Sequence, residues 1–108
     1  MADFTLRPAE PRDCGDLNRL ILALADYEKL AHQAAPSPEG LHAALFGERP
    51  ACEALIAERH GRAVGFALYF TTFSTFLCRP GLYLEDVFVE PGHRGAGIGG
   101  AILRHLAA

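Results

Sequence analysis

Four of the six residues from Gly95 to Gly100 are glycine, and the run sits between an apolar stretch, Leu82 to Val89, and a helix-like one. The helix signal is the spacing of Ile98, Ala101, Ile102 and Leu106. Glycine permits positive φ and lets backbone N–H groups come close to a ligand, and a helix N-terminus adds partial positive charge. A tight turn by itself needs one or two glycines, so this strand–loop–helix reads as an anion cradle. Arg94, at the rim, adds a full positive charge.

The flanking sequence builds one domain over residues 1–108. Phe4-Thr5-Leu6-Arg7 alternates apolar and polar residues and predicts a short strand ending at Pro8. Pro11-Arg12-Asp13 opens a helix with one apolar stripe, Leu17, Leu20, Ile21, Leu24 and Ala25. Ser37-Pro38 is an N-cap with proline in the first turn, starting a second helix that stops at Gly47. Ala54–Glu58 and Ala63–Phe70 flank His60-Gly61 as a hairpin, and Pro80-Gly81 punctuates before the strand Leu82–Val89. The order β-α-α-β-β-β-α predicts an α+β fold of mixed α/β layers with an at least partly antiparallel sheet. So apolar a fourth strand is expected to have neighbours on both edges. The last helix meets no stop signal at Ala107-Ala108, so the C-terminal part of the fold is expected to be missing.

Composition narrows the classes. Thirteen acidic side chains against ten basic ones, with Lys29 the only lysine, argue against a nucleic-acid binder. No run reaches the roughly 18 apolar residues of a membrane span, and Met1-Ala2-Asp3-Phe4 lacks the pattern of a signal peptide. Cys14, Cys52 and Cys78 fall in no metal-ligand spacing, and Cys14 and Cys52 are expected to be packing residues. A cytoplasmic protein without nucleic-acid or membrane partners and without a metal is expected.

Two ligands compete for the glycine run. Gly95, Gly97 and Gly100 satisfy G-x-G-x-x-G, the dinucleotide fingerprint of an oxidoreductase module. Against it, the run follows about four strands in mixed order, and the acidic ribose partner about 20 residues on would lie beyond Ala108. Alternatively, Arg94-Gly95-Ala96-Gly97-Ile98-Gly99 matches R/Q-x-x-G-x-G/A, the acyl-CoA pyrophosphate loop of the GNAT acetyltransferases. Tyr83 to Pro91 looks like the strand entering that loop. Leu6-Arg7-Pro8-Ala9, Asp13-Cys14 and Arg19 through Glu28 resemble the diamine (spermidine/spermine) and thialysine N-acetyltransferase branch. The resemblance covers essentially the whole chain and is weakest from Ala31 to Pro50.

What the resemblance implies is an N-acetyltransferase of the GNAT fold that moves acetyl from acetyl-CoA to a primary amine. The acceptor would be a small cation: a diamine, a polyamine or a thialysine-like amino acid. Backbone groups of Val87, Phe88 and Val89 would bind the pantetheine arm as an added strand binds a sheet edge. Arg94, Gly95, Ala96, Gly97, Ile98, Gly99 and Gly100 would hold the pyrophosphate. A strand amide would stabilise the oxyanion. Tyr27, Glu28 and Asp86 would bind the acceptor. The family's leaving-group tyrosine lies past the present chain, so a non-catalytic acyl-CoA-binding module is a third reading, and a homodimer is expected.

Glu85 is the candidate general base. An amine must lose a proton before it attacks, and a carboxylate raised by burial can take that proton directly or through water. Alternation puts Glu85 on the face of Tyr83 and Val87, and Asp86 on the face of Leu84 and Phe88. Two adjacent carboxylates in an apolar strand are costly unless they are paired or used. Glu28, eleven residues after Leu17, continues the apolar stripe of the first helix. Phe70, Phe73 and Phe76 are expected to be core residues, and no histidine is given a role.

Overall fold

The computed structural model describes residues 3–107. Met1, Ala2 and Ala108, used above to read the two ends, lie outside the described residues. In chain order the elements are β1 (Phe4–Pro8), α1 (Cys14–Tyr27), α2 (Pro38–Phe46), β2 (Glu53–Arg59), β3 (Arg62–Ser74), β4 (Arg79–Val89) and α3 (Ile98–Ala107). Single 3-10 turns at Pro11–Asp13, Ala31–Gln33 and Pro91–His93 join some of them. The strands form one sheet in the order β1-β2-β3-β4 with every neighbouring pair antiparallel. The expected α+β order is present. The parallel βαβ unit that a dinucleotide module requires is absent among the described residues, which removes that reading.

Helices cover both faces of the sheet, and β2 shows why. Ala54, Leu55, Ile56 and Ala57 are all buried, as a continuous apolar run must be when neither face meets water. On one face Leu17, Leu20 and Leu24 of α1 and Leu45 of α2 pack on Ile56, Phe66 and Phe88. On the other, Ile98 and Ile102 of α3 pack on Leu55, Val64 and Ala67. Each such large side chain contributes roughly 1.5–3 kcal/mol by leaving water. The caps follow the sequence: Ser37 Oγ accepts from the Gly40 N–H at 3.0 Å, and Gly47 ends α2.

Charge is handled with equal care at the β1 end. Arg7 grips the buried Asp13 carboxylate through both Nη groups, at 2.7 and 2.8 Å, and its Nε–H donates to Glu58. The Glu10 N–H also donates to Asp13, at 2.7 Å. The Arg7 guanidinium beside Asp13 holds that carboxyl below the usual carboxylate range.

Two expectations need correction. Pro80-Gly81 does not punctuate: it lies inside β4, opposite Phe73 and Thr72, and the turn is at residues 75–78. Proline is accommodated because, among the described residues, no strand pairs with β4 on its far side, so an absent N–H there costs no ladder bond. Second, of Phe70, Phe73 and Phe76 only Phe70 is part-buried, stacked on Tyr83 at 5.0 Å, whereas Phe73 and Phe76 are exposed beyond the end of β2.

Candidate functional site

The site begins with an irregularity in β4. Leu68 faces Asp86 across the ladder, but its neighbour Tyr69 faces Leu84, so Glu85 has no partner and forms a β-bulge. The extra residue resets the alternation. Asp86 and Phe88 stand on the α1 face, opposite Leu68 and Phe66, whereas Leu84 joins Tyr69 on the α3 face. The expectation that Asp86 shares a face with Leu84 is thus corrected, its pairing with Phe88 kept. The burial expected of Glu85 is also not found, because the bulge leaves its side chain exposed. Asp86 is the part-buried carboxyl of the two. Burial raises its pKa, and the nearby negative charges of Glu85 and Glu28 raise it further.

After the bulge the ladder is regular to its end. The Glu90 N–H donates to the Val64 carbonyl at 2.9 Å, and this sets the phase of the pairing. Since antiparallel residues alternate in the direction of their backbone groups, Phe88 faces β3 while Val87 and Val89 face the open edge. Phe88 therefore offers the site its ring, and the outward backbone groups belong to Val87 and Val89.

Beside this edge lies a cavity of about 720 Å³, walled by the end of α1, by Val87–Val89 and by the glycine run. Gly95 and Gly97 have φ of +88° and +86°, values that side chains rarely adopt, so the path of the loop depends on glycine at both. The first bond of α3 runs from the Ala101 N–H to the Gly97 carbonyl at 3.0 Å. Above it the N–H groups of Ile98, Gly99 and Gly100 are the orphan donors of a helix start. Arg94 closes the rim. Its Nε–H donates to the Val89 carbonyl at 2.9 Å, and its guanidinium lies over the rings of Tyr27 and Phe88.

A second cavity of about 230 Å³ adjoins the first and shares Leu24 and Glu28 with it. Asp86, Gln33 and Leu30 line this smaller one. Glu28 caps α1, exposed, so the apolar stripe does not continue through it; it stands instead on the wall common to both cavities. Among the described residues no cationic group pairs with Glu28, Glu85 or Asp86. The structure therefore brings Tyr27, Glu28, Val87, Phe88, Val89, Arg94, Gly95, Gly97, Ile98, Gly99 and Gly100 to one cavity and sets Asp86 in the adjoining one. Ala96 lines neither and packs towards α3's core, and Glu85 stands outside both.

Leu24 and His93 line the larger cavity and were not anticipated. Leu24 had a signal, lying one helical turn before Tyr27 and Glu28. His93, whose Nδ1 is 3.4 Å from Arg59 Nη1, had none beyond adjacency to the glycine run.

Comparison with known proteins agrees with this geometry. The sequence profile of the acetyltransferase (GNAT) family matches residues 18–108. Thialysine N-epsilon-acetyltransferase of Mus musculus is 42% identical over 115 residues, covering 99% of this chain and 67% of that protein. Spermidine/spermine N(1)-acetyltransferase-like protein 1 of Homo sapiens is 34% identical over 96% of this chain and 16% of its own length. Among solved structures, an integron cassette protein from the V. cholerae mobile metagenome superposes with a TM-score of 0.76 at 28% identity, over 99% of this chain and 67% of its own.

Proposed function

Because the chain belongs to the GNAT acetyltransferase family and is thereby an acetyltransferase, we propose that it moves acetyl from acetyl-CoA to the primary amine of a small cation, namely a diamine, a polyamine or a thialysine-like amino acid. The observation that carries this reading is the pair of adjoining cavities with opposite electrostatics. The larger has orphan N–H donors and an arginine; the smaller has Asp86 and shares Glu28 with the larger, and among the described residues neither carboxylate has a counter-ion.

The larger cavity fits an acyl-CoA. Its loop N–H groups and Arg94 suit a pyrophosphate, and the outward groups of Val87 and Val89 suit the amides of an extended pantetheine arm. The Val89 carbonyl is engaged by Arg94 in this structure, so Val87 offers the unengaged pair. An outward N–H of β4 is the donor for the negative charge that develops on the thioester carbonyl oxygen.

The smaller cavity fits a cation. Glu28 and Asp86 would balance the charge of an acceptor, and its approach would bring Asp86's raised pKa back down. Glu85, exposed at the bulge, would take the ammonium proton directly or through water and pass it to solvent. A homodimer belongs to the same reading, since Phe73, Phe76, Leu77 and Leu82 are exposed at the hairpin end of β3 and β4.

Titration of the purified chain with acetyl-CoA, then mass analysis of a diamine and thialysine panel, tests the proposal. Donor binding and an acetyl-group mass gain on an amine are expected. Donor binding with no gain on any amine would leave an acyl-CoA-binding module. No donor binding at all would sink the reading.

A further inference from the structure

We infer that Tyr27 works on the donor side of the cleft, as a positioning residue that holds the Arg94 guanidinium ready for the donor's pyrophosphate. The inference rests on the acetyl-CoA reading and moves Tyr27 away from the acceptor role that the resemblance implies.

Four observations carry it. The Arg94 guanidinium carbon lies 4.6 Å from the centroid of the Tyr27 ring and 5.4 Å from that of Phe88, both within cation–π range. Its Nε–H is committed to the Val89 carbonyl at 2.9 Å. Ring and carbonyl together fix the plane of the guanidinium, and among the described residues no acceptor takes its Nη groups. Those are the donors left for a ligand in the cavity that Arg94 lines.

Tyr27 itself points the same way. It is 64% exposed, so core filling does not account for its place, and among the described residues its hydroxyl makes no hydrogen bond. What it contributes is a ring face, tilted at 59° to Phe88 with centroids 6.5 Å apart. It lines the larger cavity and not the smaller one, where Asp86 stands, while Glu28 lines both. An arginine held in this way has less rotamer freedom to lose when it meets an anion.

The test compares two donors on the full chain: acetyl-CoA, and acetyl-pantetheine, which has no pyrophosphate. Tyr27→Leu should weaken acetyl-CoA binding roughly 2- to 30-fold, the range of an aromatic–cation contact, and leave acetyl-pantetheine unchanged. Tyr27→Phe should behave like wild type. In the free protein the Arg94 side-chain protons should show ring-current shifts that Tyr27→Leu reduces, which reports the contact independently of any ligand.

Equal weakening of both donors, or a rise only in acceptor KM, would overturn the inference. So would an unchanged acetyl-CoA affinity in Tyr27→Leu beside a wild type that binds it. If wild type binds neither donor, the acetyl-CoA reading falls and takes the inference with it, with the ring-current shifts still visible.

Discussion

At the β1 end of the sheet Arg7 holds Asp13 and Glu58, and Arg59 holds Asp3. At the β4 end Glu28, Glu85 and Asp86 gather with no cation against them among the described residues, and Arg94 rests on two rings instead of a carboxylate. Both ends bring carboxylates to the edge of the sheet. One end completes its electrostatics within the chain and so stabilises the fold. The other leaves positive and negative groups apart, across a shared wall, where ligands of opposite sign can complete them. Internal pairing thus marks structure, and separated charge marks the site.

The largest way to break this contrast is at the completed end. Asp13→Ala leaves Arg7 short of its buried partner and should cost about 3 kcal/mol. Thermal denaturation should show a fall on the order of 10 °C in Tm. Donor affinity of the remaining folded protein should hold.

At the incomplete end the effects should reverse. Glu28→Gln and Asp86→Asn should each raise the KM for a cationic acceptor roughly tenfold, the equivalent of 1.4 kcal/mol, with little change for acetyl-CoA. Steady-state kinetics with each substrate varied in turn reads this. An unchanged acceptor KM in both variants would remove the acceptor role from the smaller cavity.

The smallest effect is in pH, and there the two ends differ in sign. Asp13 has a depressed folded-state pKa, so its contribution is present above the unfolded value near 3.8 and is lost as pH falls through the folded one. Asp86 has a raised folded-state pKa, so its contribution is present below 3.8 and is lost as pH rises through the folded value. Asp86→Asn should therefore relieve part of the stability lost between acid and neutral pH, and Asp13→Asn should flatten the acid limb. Denaturant midpoints across the pH range separate the two.

Much of this was legible in the residues. Ser37-Pro38 and Gly47 bracket α2 because capping is local chemistry, and the four-residue apolar run in β2 announces a strand buried on both faces. The glycine run located the larger cavity for the same reason, since positive φ at Gly95 and Gly97 is a demand written into residue type. Pro80-Gly81 misled because the same dipeptide serves a turn or an edge strand, and only the tertiary position of β4 decides which. The exposure of Glu85 was hidden because a bulge is a relation between two strands: Leu68 and Tyr69 must slip against Asp86 and Leu84 before it exists. The shared wall at Glu28 likewise depends on where α1 ends relative to β4, a long-range fact.

The bulge gives this strand an unusual response to errors of length. Removing Glu85 would let Leu84 and Asp86 fall opposite Tyr69 and Leu68 in an uninterrupted ladder, so the loss would be absorbed and the sheet would close up neatly. What would vanish are the unpaired carboxylate and the local bend, together. A one-residue deletion here, unlike one in the middle of β2, would yield a folded protein with altered chemistry. On the proposed role of Glu85, β4 is thus a place where a lineage could retire this activity while keeping the scaffold.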